Sequence, residues 1–241
     1  MVYSRTIFTV KGMAKMMHKQ SGFTLIEIAI VLVIIGLLLG GVLKGQELIT
    51  NARVRNLISQ QDGIKAAFFG FQDRFRALPG DYTLATTNIP GIAATAACNN
   101  GNGDGNGQIT TANNENILAW EHLSKSGFIN GNYTCAAAPE TPASAPANPY
   151  SRYPQLIYDN VYDGTATARN NLKTGNQIPS NILAEADRKI DDGDPTNGSF
   201  RFSIYGGQTG AATIAGSGTC YNGTSWQSTS PVTNCGGVSL F

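Results

Sequence analysis

The sequence holds no close C-x-x-C pair, no glycine-rich phosphate loop, no nucleophile elbow and only two histidines, His18 and His122, which stand far apart. Those absences leave no basis for a zinc site, a nucleotide-binding loop or a hydrolase triad. Charge is also sparse, at 14% of 241 residues, and no clustered basic face of the kind nucleic-acid binders present is seen. No internal repeat is apparent. Acidic residues are missing around Arg5, Lys11, Lys15 and Lys19. The rest of the chain therefore holds 13 basic against 16 acidic residues, although the formal total is +1. Cysteine is absent until Cys98; Cys135, Cys220 and Cys235 complete the set. An even count confined to one side of an apolar run points to disulfides in an oxidising compartment.

What the sequence does have is that apolar run. Phe23 to Leu43 gives 21 residues suited to a bilayer, and as a helix they would span about 31 Å. The unbalanced basic residues in front place the N-terminus in the cytoplasm and everything after Leu43 across the membrane. A discarded secretory signal would need a small-x-small cleavage site soon after the run. "LGGVLKGQELI" provides a poor one. A plain anchor fits the length but not Glu27, because a charge inside a membrane segment costs roughly 2.5–3.5 kcal/mol.

Gly22-Phe23-Thr24-Leu25-Ile26-Glu27, with Lys19 before it and an unbroken apolar stretch after it, resembles the class III signal of type IV pilins and type II secretion pseudopilins. The resemblance implies that a prepilin peptidase cuts between Gly22 and Phe23 and N-methylates Phe23. It also implies a leader over 1–22, a helix that joins others in a homo-oligomeric filament, and partners in the inner-membrane assembly machinery and membrane lipid. Cutting exposes a positive amine on Phe23, one turn from Glu27. With subunits offset along an axis, the carboxylate of one can meet the amine of the next, and two buried charges offset each other where either alone would be costly. Many pilins have a proline just past the membrane run. Here the chain has Lys44-Gly45.

Beyond the run, Leu57, Ile64, Phe68, Phe71, Phe75 and Leu78 recur at helical spacing until Pro79-Gly80. One helix over 24–77 would be roughly 80 Å long. The phenylalanines form a core stripe rather than a conduction path. The spacing predicts short helices over 114–126, with Ile117, Trp120 and Leu123 on one side and Gly127 as the stop, and over 180–190. "SFRFSIY" (199–205) predicts a strand with Phe200, Phe202 and Ile204 facing in, and "LIYDNVY" (156–162) a second. Five prolines over 139–154 predict an irregular connection. The expectation is an α+β chain in three parts: leader 1–22, helix 23–78 and a loop-rich antiparallel head over 79–241, pilin-like as the resemblance implies.

In the head, "NGNGDGNGQIT" (100–110) has the front half of a calcium loop. Asn102, Asp104, Asn106 and Gln108 supply oxygens at alternate places and Gly107 stands at the turn, but Asn113 occupies the place of the closing glutamate. Calcium is therefore the cofactor to test, against a plain loop. Asp191, Asp192 and Asp194 surround Gly193 in a segment read as a solvated turn. Four cysteines allow three connectivities. The simplest pairs neighbours, Cys98 with Cys135 and Cys220 with Cys235, and closing the C-terminal loop would contribute about 3 kcal/mol. Taken together, the sequence predicts a structural filament subunit with no catalytic residues. The rival is a solitary membrane-anchored binding protein with its head outside the cytoplasm.

Overall fold

The computed structural model describes Gly22, residues 24–204 and residues 218–241. Two compact units divide the chain at Gln46 and Glu47. Helix α1, Leu25–Phe75, contains no proline and runs through both. It starts one residue later and stops two earlier than the sequence pattern predicts. Arg76 takes a left-handed φ of 54° and breaks the ladder ahead of Pro79. In the first unit every side chain from Leu25 to Leu43 is exposed. In the second, Val54, Leu57, Gln61, Ile64, Phe68 and Phe71 return every three or four residues and are buried.

The head adds α2 (Ala85–Asn88), α3 (Glu115–Lys125) and α4 (Ser180–Ile190). Its strands are β1 (Gln155–Asp159), β2 (Arg169–Lys173), β3 (Phe200–Phe202), β4 (Tyr221–Asn222), β5 (Ser225–Trp226) and β6 (Gly237–Leu240). The main sheet is antiparallel in the order β1-β2-β6-β3, so the last strand of the chain fills an interior position. Strands β4 and β5 form a separate hairpin. Two apolar clusters hold the elements on α1. Val54 and Leu57 pack with Ile182, Leu183, Phe200, Phe202 and Trp226. Ile64, Phe68 and Phe71 pack with Trp120, Leu123, Leu156 and Leu172.

Both sheet edges are covered. The Tyr158 amide donates to the Ile109 carbonyl (2.6 Å), and the Phe202 amide donates to the Pro195 carbonyl (2.7 Å). The strand expected over 199–205 is shorter and corrects one inward residue. Pairing ends at Phe202, and Ile204 is 54% exposed. The strand expected over 156–162 stops at Asp159, whose Oδ1 accepts the Val161 amide (3.2 Å) and bends the chain away. Helix α3 is buried all round from Glu115 to Leu123, a wider burial than the Ile117, Trp120 and Leu123 side alone. Gly127 stops it at φ 83°, where a side chain would be strained, and the Phe128 amide reaches back to the Leu123 carbonyl (2.9 Å). The disulfides are Cys98–Cys135 and Cys220–Cys235. The first packs on Ile117 and Leu118, and the second lies in the cluster around Val54.

Candidate functional site

At the start of α1 the sequence Thr24-Leu25-Ile26-Glu27 forms a reciprocal cap. The Thr24 amide and hydroxyl both donate to Glu27 Oε2 (2.7 and 2.8 Å), and the Glu27 amide donates to Thr24 Oγ1 (3.3 Å). This is the Thr-x-x-Glu capping box, in which each side chain satisfies an amide that the first helical turn leaves open. Glu27 is thus held at the helix start beside the expected cut. Gly22 is exposed, and a Cβ there would meet nothing within 4 Å. Phe23, the expected methylation site, lies outside the described residues. Helix α1 is long and apolar enough to cross a membrane, by length and composition.

A second constellation lies in the head. Asp81, Asp104 and Glu115 each bring a carboxylate oxygen within 4.8 Å of the other two. Asp81 and Glu115 are buried and Asp104 is exposed. The Asp81 carboxylate accepts the amides of Gly105 (2.7 Å), Asn106 (3.0 Å) and Gly107 (2.8 Å). Glu115 accepts the amides of Asp104 (3.1 Å) and Thr110 (3.1 Å) and the Thr110 hydroxyl (3.0 Å). Burial pushes the pKa of both acids up, against these amides, which pull it down. Gly103 allows the approach: a Cβ there would meet the Asp81 backbone at 2.2 Å.

Of the four residues read as a calcium loop, only Asp104 joins this cluster. The Asn102 carboxamide oxygen accepts from Thr86 instead (3.1 and 3.2 Å), and Asn106 Oδ1 accepts the Gln108 amide (2.8 Å). The missing acid at Asn113 has a substitute two residues on, in Glu115, and a second in the distant Asp81. Three carboxylates suit a hard divalent cation, and each Asp81 and Glu115 oxygen accepts at most two of the donors named here.

Residues 17–43 match the family model of the prokaryotic N-terminal methylation motif. That motif is the signature of type IV pilins and pseudopilins. No curated protein and no solved structure matches the chain. The match lies over the residues before Gly22, the capping box and the apolar half of α1. It supports a pilin-like or pseudopilin N-terminus of the kind that prepilin peptidase processes, and it does not reach the head.

Other buried polar groups in the head fasten loops. His122 accepts the Gly80 amide at Nδ1 (3.0 Å) and meets the Gly101 carbonyl at Nε2 (3.1 Å), joining the segments that carry Asp81 and Asp104. Its burial pushes the pKa down to about 4, so the ring is neutral. Glu121 accepts the amides of Ala93 and Cys135 (both 2.7 Å). Asp191 and Asp192 are exposed, as a solvated turn implies, and Asp191 also accepts the amides of Ser199 and Phe200, tying the end of α4 to β3. Asp187 accepts Trp226 Nε1 (2.6 Å), and burial pushes its pKa up to about 6. Sequence inspection missed Asp81, Glu115, Glu121 and Asp187. The one available hint was an acid directly after the helix-ending Pro79-Gly80.

Proposed function

We propose that the chain is a filament subunit of a type IV pilus or a type II secretion pseudopilus, cut between Gly22 and Phe23 and assembled through α1. The reading also places the head in the periplasm or at the cell surface, behind a single pass with a cytoplasmic N-terminus. The observation that carries it is the capping box that fixes Glu27 at the head of a helix whose apolar first half is exposed. Capping alone is served as well by glutamine, so a plain anchor does not account for the charge. In a packed bundle, the Phe23 amine of one copy would be buried beside Glu27 of another.

The test is substitution at Glu27. Glu27→Ala keeps the helix and is expected to leave cleavage intact but stop assembly, a loss on the order of 3–5 kcal/mol per broken buried pair. Glu27→Gln keeps size and hydrogen bonding and deletes only the charge. Wild-type levels of filaments from Glu27→Gln would refute charge pairing. A deletion strain separates the two systems, because a pilus subunit removes surface filaments and a pseudopilus subunit blocks exoprotein export. A solitary anchored binding protein would form no filament, and its head would be indifferent to Glu27.

A second reading concerns the head alone, favoured by three carboxylates that converge from separate segments, two of them buried. We propose that Asp81, Asp104 and Glu115 hold calcium. Purified protein is expected to melt at higher temperature in calcium than in chelator, with the shift growing as ligand exceeds Kd. Asp104→Asn, at the exposed member, is expected to remove that shift while preserving the fold. Identical melting in calcium and chelator would refute the site.

A further inference from the structure

Successive residues of a strand point to opposite faces, so Gln155, Ile157 and Asp159 on β1 share a face with their partners Lys173, Asn171 and Arg169 on β2. The other face carries Leu156 and Leu172 into the core against α1. Lys173 is wholly buried, an unusual place for an ammonium. Its Nζ donates to Asp159 Oδ1 (2.9 Å) and to the Val161 carbonyl (2.9 Å), under the ring of Tyr162. The same Oδ1 accepts Asn171 Nδ2 (2.9 Å) and the Val161 amide (3.2 Å). Asp159 Oδ2 is buried too, yet no donor among the described residues reaches it.

The asymmetry between the two oxygens has a chemical meaning. The ammonium donates to Oδ1, so that is the oxygen placed to take its proton and leave, with Asn171 Nδ2 and the Val161 amide to receive it. Oδ2, left without donors, becomes the carbonyl oxygen of the product. Lys173 is closed off from water and its amine is held against the carboxyl, an arrangement in which intramolecular reactions gain effective molarities of about 10⁵ M or more. Burial pushes the Lys173 pKa down against the pull of Asp159, which favours the neutral, nucleophilic amine. An ion pair in this position carries the desolvation cost of two charges, and an amide carries neither.

We propose that Lys173 and Asp159 condense into an isopeptide cross-link between β1 and β2. One proton passes from the ammonium to Oδ1, the oxygen that Nζ reaches, which neutralises both groups. Nζ then attacks Cγ, the Cγ–Oδ1 bond breaks, and Oδ1 leaves as water with the second proton. Ammonium and carboxylate give amide and water, with no oxidant, cofactor or external acid required. The bond would tie the outer pair of strands covalently. It is independent of whether the chain forms filaments.

The test is the mass of the full chain, purified from membranes, then reduced and denatured. The expected value lies one water below that of the mature sequence. In a tryptic map Tyr153–Arg169 should be joined to Asn170–Arg188, uncut after Lys173. Lys173→Arg, which keeps the charge but cannot form the amide, should restore the full mass. Full mass in the wild type, with free Asn170–Lys173 released by trypsin, overturns the proposal. So does a water-sized deficit that maps to an Asp-Gly pair instead of the two strands. Because the wild-type measurement is made on denatured protein, it decides the matter even if the variant folds poorly.

Discussion

Glu27 and Asp187 show one residue chemistry in two settings. Glu27 is legible because a lone acid in an apolar run demands a reason, and its cap with Thr24 is local, three residues apart. Asp187 is not legible, since its partner Trp226 comes from a hairpin far along the chain. Its pKa, raised to about 6 by burial, makes a pH prediction. A folded pKa above the ordinary value of 3.8 means stability present in acid and lost as pH rises through about 6. Asp187→Asn keeps an acceptor for the Trp226 indole and removes the charge. Thermal unfolding of this variant at pH 7 should show a gain of about 1–2 kcal/mol, discounted for partial screening, that vanishes near pH 4. A variant less stable than wild type at pH 7 would show that the carboxylate is needed in its charged form.

Among elements, those with helical spacing were readable and those held by tertiary contacts were not. Helix α4 occupies the predicted 180–190, and α1 differs by three residues in all. Strands β2 ("RNNLK") and β6 ("GVSL") carry no alternation to find. In β2 the buried residues include Asn171 and Lys173, polar groups on the face away from α1 that both bond Asp159. In β6, Gly237 accommodates the Phe200 ring, which a Cβ would approach at 2.6 Å. Since β6 pairs with β2 on one side and β3 on the other, deleting residues 237–241 should separate β3 from the sheet. Limited proteolysis should then degrade the head of the truncated chain under conditions that leave the wild type intact. A truncated head as resistant as the full one would show that β3 is held by α4 and its loops alone.

At the scale of the whole molecule, the sequence divides into a half that speaks for itself and a half that does not. The N-terminal helix works through local rules of length, charge and capping, so its role can be read in order along the chain. The head works by convergence. Asp81, Asp104 and Glu115 meet where His122, Glu121 and the Cys98–Cys135 bridge fasten loops around α3. Of that acidic cluster, Asp104 was visible in the loop pattern, while the other two acids were hidden by distance and by the place of Glu115 outside that pattern.

The central claim is that this chain enters a filament by way of prepilin processing. The most direct test is mass analysis of the N-terminus of protein taken from cells with active prepilin peptidase. The expected mature chain begins at N-methylated Phe23. A membrane-bound chain that still begins upstream of Gly22 would contradict it.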